Sequence, residues 1–277
     1  MTHTKLIQLL EQAIYAALQG GTEIMRIYTS EEIEVETKAD NSPLTQADIA
    51  ASNAIEAILK KTDIPIICEE TSHTPFKERK KWDYVWIVDP LDGTKEFIAR
   101  NNEFTVNIAL IHNHKPILGV IYVPADDTIY FGLEKNGSYM LENTSISLSE
   151  IRYEHIVDKA RLLPFFQKGQ EYNIVASRSH LSAETEQFIS NIQKSHPSAQ
   201  TVSIGSSLKF CLVANGHAQI YPRFGPTCEW DTAAGDAIAR AAGCTTYNAE
   251  THKYIEYNTK EDFFNPFFIV ERRETSI

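Results

Sequence analysis

The stretch WIVDPLDGTKEF, residues 86–97, decides the fold because it joins an apolar run to two aspartates. The preceding residues 84–88 are apolar and partly β-branched, as in a strand that is buried on both faces. Pro90 has no N–H to donate, so it predicts the end of the strand ladder and the start of a turn, while Gly93 supplies backbone freedom. Turns favour these residue types as well, so the motif alone leaves a plain polar turn open. Carboxylates at the carboxyl end of a strand also mark the place where α/β proteins open their ligand crevices.

Two further segments end in carboxylates. The apolar run 64–68 is followed by Glu69 and Glu70, and strand alternation predicts that only one of them reaches the site. In residues 229–239, EWDTAAGDAIA, Asp231 is predicted to cap a helix and can also face a metal. Glu69, Asp89, Asp92 and Asp231 together would form an all-oxygen cluster of the kind that suits Mg²⁺. Two such ions about 3.5–4 Å apart stabilise an in-line displacement at phosphorus, so the pattern predicts phosphoester hydrolysis.

Composition narrows the possible partners. The chain has 277 residues and a net charge of −11, which argues against a nucleic-acid polymer or an anionic membrane surface. A phosphorylated small ligand stays possible because bound divalent ions reverse the local field. The four cysteines show no CxxC spacing and predict reduced thiols, and the N-terminal stretch resembles neither a signal peptide nor a transmembrane helix. We therefore expect a cytoplasmic protein, with peripheral association with the inner membrane face left open and the oligomeric state not determined.

The hydrophobic pattern predicts an α/β (α+β) chain with two closely packed lobes. Residues 1–150 form the first lobe, which carries most of the expected metal ligands, and residues 151–277 form the second. Helices are predicted at the N-terminus and at 45–62, where Thr45 caps and Asp48 follows in a capping box. The remaining predicted elements are a strand at 32–38, an antiparallel meander over 104–141, strands at 172–177 and 218–222, and helices at 181–194, 206–216 and 231–243.

Three motifs resemble one known family. DPLDGTKEF (89–97) and WDTAAGDA (230–237) resemble the two signatures of the lithium-sensitive, Mg²⁺-dependent inositol monophosphatase superfamily, and KADNSPLTQAD (38–48) resembles its third common segment. The match keeps consistent order and spacing from about residue 5 to 245. Within the superfamily, DGTKEF and residues 206–223 are similar to the CysQ branch, the 3′(2′),5′-bisphosphate nucleotidases. The resemblance implies a layered α/β/α/β/α sandwich.

The resemblance also implies roles for individual residues. Metal binding falls to Glu69, Asp89, the Leu91 carbonyl, Asp92 and Asp231, with two or three Mg²⁺ ions at the site. The catalytic residues are Asp48, Thr94 and Glu69, where Asp48 and Thr94 orient and deprotonate the attacking water. Substrate binding falls to Gly93, Thr94, His180, Ser206, Lys209 and Arg223, the last four facing the nucleotide and its second phosphate. The implied reaction converts adenosine 3′,5′-bisphosphate to AMP and phosphate, with 3′-phosphoadenylyl sulfate as a second substrate and lithium as an inhibitor.

Alternative functions remain at this stage. A haloacid-dehalogenase phosphatase needs D-x-D-G-T, whereas this chain has one residue more between its aspartates. An inositol monophosphatase would share the metal site but makes no use of Lys209 and Arg223. A non-catalytic protein that binds Mg²⁺ and nucleotide would be expected to lack a metal ligand, and none is missing. Two basic or histidine-rich runs, HNH (112–114) and the Arg79 segment ERKKW (78–82), are interpreted as a hairpin turn and a solvated face.

Overall fold

The computed structural model describes residues 1–30, 35–37, 43–142, 151–165, 171–178 and 182–272. Its helices are α1 His3–Tyr28, α2 Gln46–Leu59, α3 Phe76–Arg79, α4 Thr94–Ile98, α5 Tyr153–Lys159, α6 Ala183–Ser195, α7 Leu208–Ala214 and α8 Glu229–Ala241. The strands of the first half are β1 Val35–Thr37, β2 Pro43–Thr45, β3 Ile66–Cys68, β4 Tyr84–Asp92, β5 Thr105–His112, β6 Lys115–Val123, β7 Thr128–Leu133 and β8 Gly137–Glu142. Those of the second half are β9 Arg161–Leu162, β10 Asn173–Ser177, β11 Gln200–Ile204, β12 Ile220–Arg223, β13 Cys244–Asn248 and β14 Phe268–Arg272. None of the described helices is both long enough and apolar enough to cross a membrane.

Two large mixed sheets organise these elements. The seven-stranded sheet has the order β3-β4-β5-β6-β7-β8-β9, and the five-stranded sheet has the order β11-β10-β12-β14-β13. In the first sheet only β3 and β4 run parallel, and the other neighbours pair antiparallel as a meander. Because β3 and β4 are parallel, their carboxyl ends meet at one edge of the sheet. Glu69 directly follows β3, and Cys68 pairs with Val88 on β4, so the register brings Glu69 beside Asp89.

Helices cover and separate the two sheets. α1 and α2 pack on each other and on β4, β5 and β6, while α8 packs on the opposite face of the same sheet. α7 packs against α8 and against β10, β12 and β14, and α6 contacts β12. The layers are therefore α1/α2, the seven-stranded sheet, α7/α8, the five-stranded sheet and α6. This is the α/β/α/β/α sandwich that the family resemblance implies.

Small residues let α8 approach its neighbours closely. A Cβ added at Gly119 on β6 would lie 2.3 Å from the Ala234 carbonyl oxygen, and one added at Gly235 would lie 2.4 Å from Phe210 on α7. Such separations are far below any van der Waals contact, so larger residues would push α8 away from β6 or α7. Gly119 and Gly235 therefore permit the close packing of α8 on β6 and α7. This packing fixes the first turn of α8, which carries Asp231.

Most predicted elements are present, with corrections at the motif itself. β4 does not end at Pro90, because Asp92 still pairs with Thr105 and the ladder only shifts register between Asp89 and Asp92. α8 begins at Glu229 with Cys228 at the N-cap, so Asp231 occupies the third helical position instead of the cap, and its Oδ2 accepts a hydrogen bond from the Cys228 backbone N–H. The prediction for residues 32–38 lies partly outside the described residues, which there include only β1. The division into lobes at about residue 150 stays a prediction.

Candidate metal and phosphate site

Three carboxylates converge at the edge where β3 and β4 end. One oxygen from each of Glu69, Asp89 and Asp231 lies within 4.8 Å of the other two. Asp89 is 1% exposed, whereas Glu69 and Asp231 are only partly buried. Asp89 Oδ1 accepts a hydrogen bond from the Leu91 backbone N–H at 3.0 Å, which fixes its carboxylate. Three oxygens at this spacing match the hard-ligand set that a divalent cation requires.

Asp92 is held beside this cluster by a buried polar network. Its Oδ2 accepts from Asn107 Nδ2 at 3.5 Å, and the Ser207 backbone N–H also donates to its carboxylate. Asn107 Oδ1 in turn accepts from Ser207 Oγ at 2.7 Å and from Thr105 Oγ1 at 3.2 Å. Thr105 and Ser207 share a further hydroxyl contact of 2.8 Å. Strand β5 and the start of α7 therefore orient Asp92 together.

The electrostatics of these carboxylates favour a bound cation. Burial, followed by the charges of Glu69, Asp92 and Asp231, raises the pKa of Asp89 well above its ordinary value. Burial and the charges of Asp92 and Glu69 likewise raise the pKa of Asp231. Burial also raises the pKa of Asp92, although the positive charge of Lys209 opposes that shift. Like charges in a buried site repel one another, and a divalent ion among them would relieve the repulsion.

Asp48 and Thr94 form a second polar pair close to the motif. Asp48 is 1% exposed, and its Oδ2 accepts from the Thr45 backbone N–H at 2.7 Å and from Thr45 Oγ1 at 2.6 Å. This is the predicted capping box at the start of α2. Thr94 Oγ1 donates to Asp48 Oδ1 and to the Leu91 carbonyl oxygen, each at 3.3 Å. The Thr94 hydroxyl therefore links the Asp48 carboxylate with the Leu91 carbonyl.

Gly93 allows the chain to turn tightly between Asp92 and α4. It has φ +90°, and an added Cβ would lie 2.9 Å from the Glu103 carbonyl oxygen and 3.3 Å from Ser206 Cβ. Both the left-handed backbone and the close approach require glycine here. Ser206 itself has φ +44°, an uncommon backbone region for a residue with a side chain. Gly93 and Ser206 thus bring the two halves of the chain into contact at the site.

Two buried cations lie near these turns. Lys209 is 7% exposed and Arg223 is 8% exposed. Lys209 Nζ donates to the Ser206 carbonyl oxygen at 2.5 Å, and Arg223 Nη2 donates to the Pro226 carbonyl oxygen at 2.9 Å. Among the described residues, Arg223 Nε has no hydrogen-bond partner. Burial lowers the pKa of Lys209 to about 8; the charge of Asp92 opposes this shift and that of Arg223 adds to it. Two neighbouring buried cations with an unsatisfied donor form a suitable environment for an anion.

One cavity of about 280 Å³ joins the acidic and basic groups. The predicted site residues that line this cavity are Glu69, Asp92, Gly93, Thr94, Ser206, Lys209, Arg223 and Asp231. Asp48 and Asp89, which are both buried, are not among the described residues of this lining. Nor is Leu91, although its carbonyl reaches Thr94. His180 lies outside the described residues, so its predicted role stays a prediction. The rest of the predicted set is brought to one region.

Sequence reasoning missed the residues that hold this set in place. Thr105, Asn107 and Ser207 support Asp92, and all three are at most 2% exposed. The available signal was a polar residue at every second position of NEFTVN (102–107), inside a segment otherwise expected to be a buried strand. Buried polar side chains are hydrogen-bonded, so such positions indicate a network even when its partners are unknown.

Comparison with known proteins agrees with this geometry. The sequence model of the inositol monophosphatase family matches residues 5–269. The 3′(2′),5′-bisphosphate nucleotidases CysQ of Shigella flexneri and of Escherichia coli K12 are each 44% identical over 265 residues, covering 95% of this chain and 99% of theirs. The CysQ of Haemophilus influenzae is 31% identical, covering 95% of this chain and 92% of its own.

Solved structures give the same result at the level of the fold. CysQ from Bacteroides thetaiotaomicron, described as a bacterial member of the inositol monophosphatase family, matches with a TM-score of 0.86 and 48% identity over 97% of this chain and 98% of its own. The inositol monophosphatase of Thermotoga maritima matches with a TM-score of 0.72 at 21% identity, over 95% of this chain and 92% of its own, and shows the fold alone. The chain therefore belongs to the inositol monophosphatase family and, within it, to the CysQ nucleotidases.

Proposed function

We propose that the protein is a Mg²⁺-dependent phosphatase that hydrolyses the 3′-phosphate of adenosine 3′,5′-bisphosphate to give AMP and phosphate. The analogue 3′-phosphoadenylyl sulfate carries the same 3′-phosphate and is proposed as a second substrate. The relatives that are 44% identical over 95% of this chain are 3′(2′),5′-bisphosphate nucleotidases, which supports this reaction. The residue roles follow the family resemblance, and the geometry described above supports them.

One observation carries the choice of substrate. An acidic cluster and two buried cations line the same cavity, so the site can hold two phosphates in different ways. We assign the scissile phosphate to the acidic end, where metal ions would neutralise it, and the second phosphate to Lys209 and Arg223. A guanidinium suits phosphate because it offers several donors in a fixed plane, and lysine adds a point charge. An inositol monophosphate has one phosphate and would leave these two buried cations without an anion.

Glu69, Asp89, Asp92, Asp231 and the Leu91 carbonyl are the groups proposed to hold Mg²⁺. The donor set is entirely oxygen, and three of its carboxylates already lie within 4.8 Å of one another. Carboxylates whose pKa values are raised by mutual repulsion gain most when a cation binds between them. When bound, Mg²⁺ would polarise the phosphate and lower the pKa of a coordinated water. We propose that the site holds two or three ions.

The chain's own residues are proposed to position the nucleophile. Thr45 holds one oxygen of Asp48, which leaves the other directed at Thr94 Oγ1 at 3.3 Å. A water that contacts the Thr94 hydroxyl can pass its proton through that oxygen to Asp48, so this pair acts as the general base. Glu69 lines the same cavity and is proposed to orient that water in addition to binding metal. The Gly93 and Thr94 backbone N–H groups are proposed to hold the scissile phosphate.

The test measures phosphate release from adenosine 3′,5′-bisphosphate and from inositol 1-phosphate, with Mg²⁺ and with chelator. We expect release from the nucleotide that depends on Mg²⁺ and is lost in Asp92→Asn. Arg223→Gln serves as the matched specificity variant: it should weaken the nucleotide reaction and leave the slow inositol phosphate reaction nearly unchanged. A preference for inositol phosphate would replace the proposed substrate while keeping the metal site. Nucleotide binding without hydrolysis of either compound would make the protein a binding protein.

Substrate and protein are both anionic, so metal ions are also expected to act in binding. The net charge is −11, and the local positive groups within the described cavity are few. We therefore expect chelation to weaken nucleotide affinity as well as to abolish turnover, and unchanged affinity in chelator would refute that expectation. Inhibition by lithium, a cytoplasmic location and peripheral membrane association remain predictions from sequence.

A further inference from the structure

We propose that Glu103 is a positioning residue that locks the substrate turn, defined as residues 205–207, onto the phosphate-binding turn at Gly93. The proposal rests on the proposed nucleotidase function and concerns a residue that is neither a predicted metal ligand nor itself part of the cavity lining. Its consequence is specific: Glu103 should matter for recognition of the second phosphate, which lies on the Ser206 and Lys209 side, more than for the chemical step.

Alternate residues of one segment form hydrogen bonds with the substrate turn. Glu103, Thr105 and Asn107 are spaced by two, which places their side chains on one face of an extended chain. Glu103 Oε2 accepts from the Gly205 backbone N–H at 2.7 Å. Thr105 and Asn107 both bond Ser207 Oγ, at 2.8 Å and 2.7 Å. Side chains at regular spacing therefore engage both ends of the turn, and Ser206 is left between them.

Glu103 touches both sides of the site at once. Its carbonyl oxygen packs against Gly93, only 2.9 Å from where a Cβ would lie, while its carboxylate holds Gly205. An added Cβ at Gly205 would meet the Glu103 side chain at 3.1 Å, so the two residues are in close contact. A single residue thus sets the separation between the phosphate-binding turn and the substrate turn.

Arg178 completes the arrangement from the other sheet. Its Nε and Nη2 donate to the two oxygens of Glu103 at 3.0 Å and 2.5 Å, and Nη2 also donates to the Ser203 carbonyl oxygen at 3.1 Å. The pair is bidentate, which gives it a defined geometry. The Glu103 side chain is 18% exposed and that of Arg178 is 51% exposed. Arg178 therefore orients the carboxylate that receives the Gly205 N–H and ties the end of β10 to β11.

The position of the substrate turn controls both groups proposed for the second phosphate. Ser206 sits at φ +44°, a backbone state that persists only where its surroundings hold it. Lys209 Nζ is bonded to the carbonyl oxygens of Ser206 and Ile204, so its ammonium group follows the turn. If Glu103 releases Gly205, the Ser206 backbone and the Lys209 ammonium lose their fixed separation from Gly93. Binding energy from this remote part of the substrate is then reduced.

The experiment compares Glu103→Ala, Arg178→Ala and the double variant on adenosine 3′,5′-bisphosphate and on adenosine 3′-phosphate, which differs only by the second phosphate. Loss of a hydrogen bond to a charged group corresponds to a change of about ten- to a hundredfold. We expect Glu103→Ala to raise KM for the bisphosphate by about that factor, with a much smaller change in kcat. The monophosphate reaction should change little, so the preference for the bisphosphate should fall by the same factor.

Arg178→Ala keeps the Glu103 to Gly205 bond and should have a smaller effect, and the double variant should match Glu103→Ala because Arg178 acts through Glu103. Glu103→Gln keeps the side-chain length and one acceptor, so an intermediate KM is expected even if the alanine variant folds poorly. Glu23→Ala is the matched control, since the Glu23 to Arg26 pair on α1 is also a carboxylate with an arginine at 3.0 Å. It should leave both reactions unchanged.

A merely structural role gives a different pattern. Reduced folding would lower kcat equally for both substrates with KM unchanged, and that result would overturn the proposal. Kinetics of Glu103→Ala equal to those of Glu23→Ala would overturn it as well. Failure of the proposed function appears earlier and separately, as an unsubstituted protein that does not hydrolyse the bisphosphate, and the inference would fall with it.

Discussion

Arg79→Lys should destabilise the protein strongly, although the substitution keeps the charge. Arg79 is 1% exposed and donates to Asn258 Oδ1 at 2.5 Å and to the carbonyl oxygens of Lys260 and Glu261 at 2.6 Å and 2.5 Å. Its guanidinium also lies 4.4 Å from the Phe263 ring centroid. In the reciprocal hydrogen bond, Asn258 Nδ2 donates to the Arg79 carbonyl oxygen at 2.9 Å. One planar group therefore holds a loop that passes beside the start of α8.

The magnitude follows from what an ammonium group cannot replace. Lysine is a point charge and cannot reach three acceptors in one plane or stack on an aromatic ring. Hydrogen bonds to charged groups contribute about 1.5–3 kcal/mol each, and at least one acceptor, Asn258 Oδ1, is fully buried. The acceptors nearer the surface can bond water, which limits the loss. We expect the free energy of unfolding to fall by about 3 kcal/mol, and Tm by roughly 6–12 °C for a chain of this size.

The assay is urea unfolding followed by tryptophan fluorescence, with Tm measured in parallel. Arg26→Lys is the control, because Arg26 makes an exposed ion pair with Glu23 and its side chain is 65% exposed. The control should change stability by less than about 0.5 kcal/mol. If Arg79→Lys lowered the free energy of unfolding by no more than the control does, the guanidinium contacts would not be stabilising and the reasoning would be wrong. A change in the slope with urea, rather than in the midpoint, would also refute it.

Three further predictions concern the site. Without Mg²⁺ at neutral pH, Asp231→Asn should raise Tm. Burial and the neighbouring carboxylates raise the pKa of Asp231 to about 8, so a carboxyl that is ionised in the unfolded chain must take up a proton on folding, and the amide avoids that cost. The variant should nevertheless lose the Tm increase that Mg²⁺ gives the unsubstituted protein. Burial lowers the pKa of Lys209 to about 8, so its positive charge is present below that pH and lost above it. The KM for the nucleotide should therefore rise above pH 8. Lys209→Arg should flatten that rise. Gly93→Ala should reduce kcat at least tenfold, because its φ of +90° costs alanine about 1–2 kcal/mol and the added Cβ would lie 2.9 Å from the Glu103 carbonyl oxygen. Steady-state kinetics with Ala99→Gly as a nearby control would check that last result.

Features that depend on neighbours in sequence could be predicted. The capping box of Thr45 and Asp48 spans three residues, and the hairpin turns of the meander follow from local turn residues. The carboxylates could be grouped because strand ends and a helix start are positions with known geometry. The family resemblance supplied the layered fold. Each of these inferences needed only short-range chemistry or a known pattern.

Features that depend on residues far apart in the sequence could not be predicted. Arg79 looked like part of a solvated basic run, and that interpretation was wrong because its partner Asn258 lies 179 residues further along the chain. Ser207 meets Asn107 from 100 residues away, so the network that holds Asp92 has no local signature beyond the polar alternation of NEFTVN. The prediction that the strand ends at Pro90 was also wrong, because a local shift of register lets β4 resume pairing at Asp92 after the proline.

The same distinction separates two kinds of residue in the site. A carboxylate that binds metal must be of one chemical type, so its identity is visible in the sequence. A residue that positions it can be any group that completes a hydrogen bond, so only its partner reveals it. Glu103 is such a case, since it is an acidic residue near an acidic site and yet bonds a backbone N–H and Arg178 instead of joining the carboxylate cluster. The substrate preference of this protein is therefore expected to depend on residues, such as Glu103, that no metal-ligand motif contains.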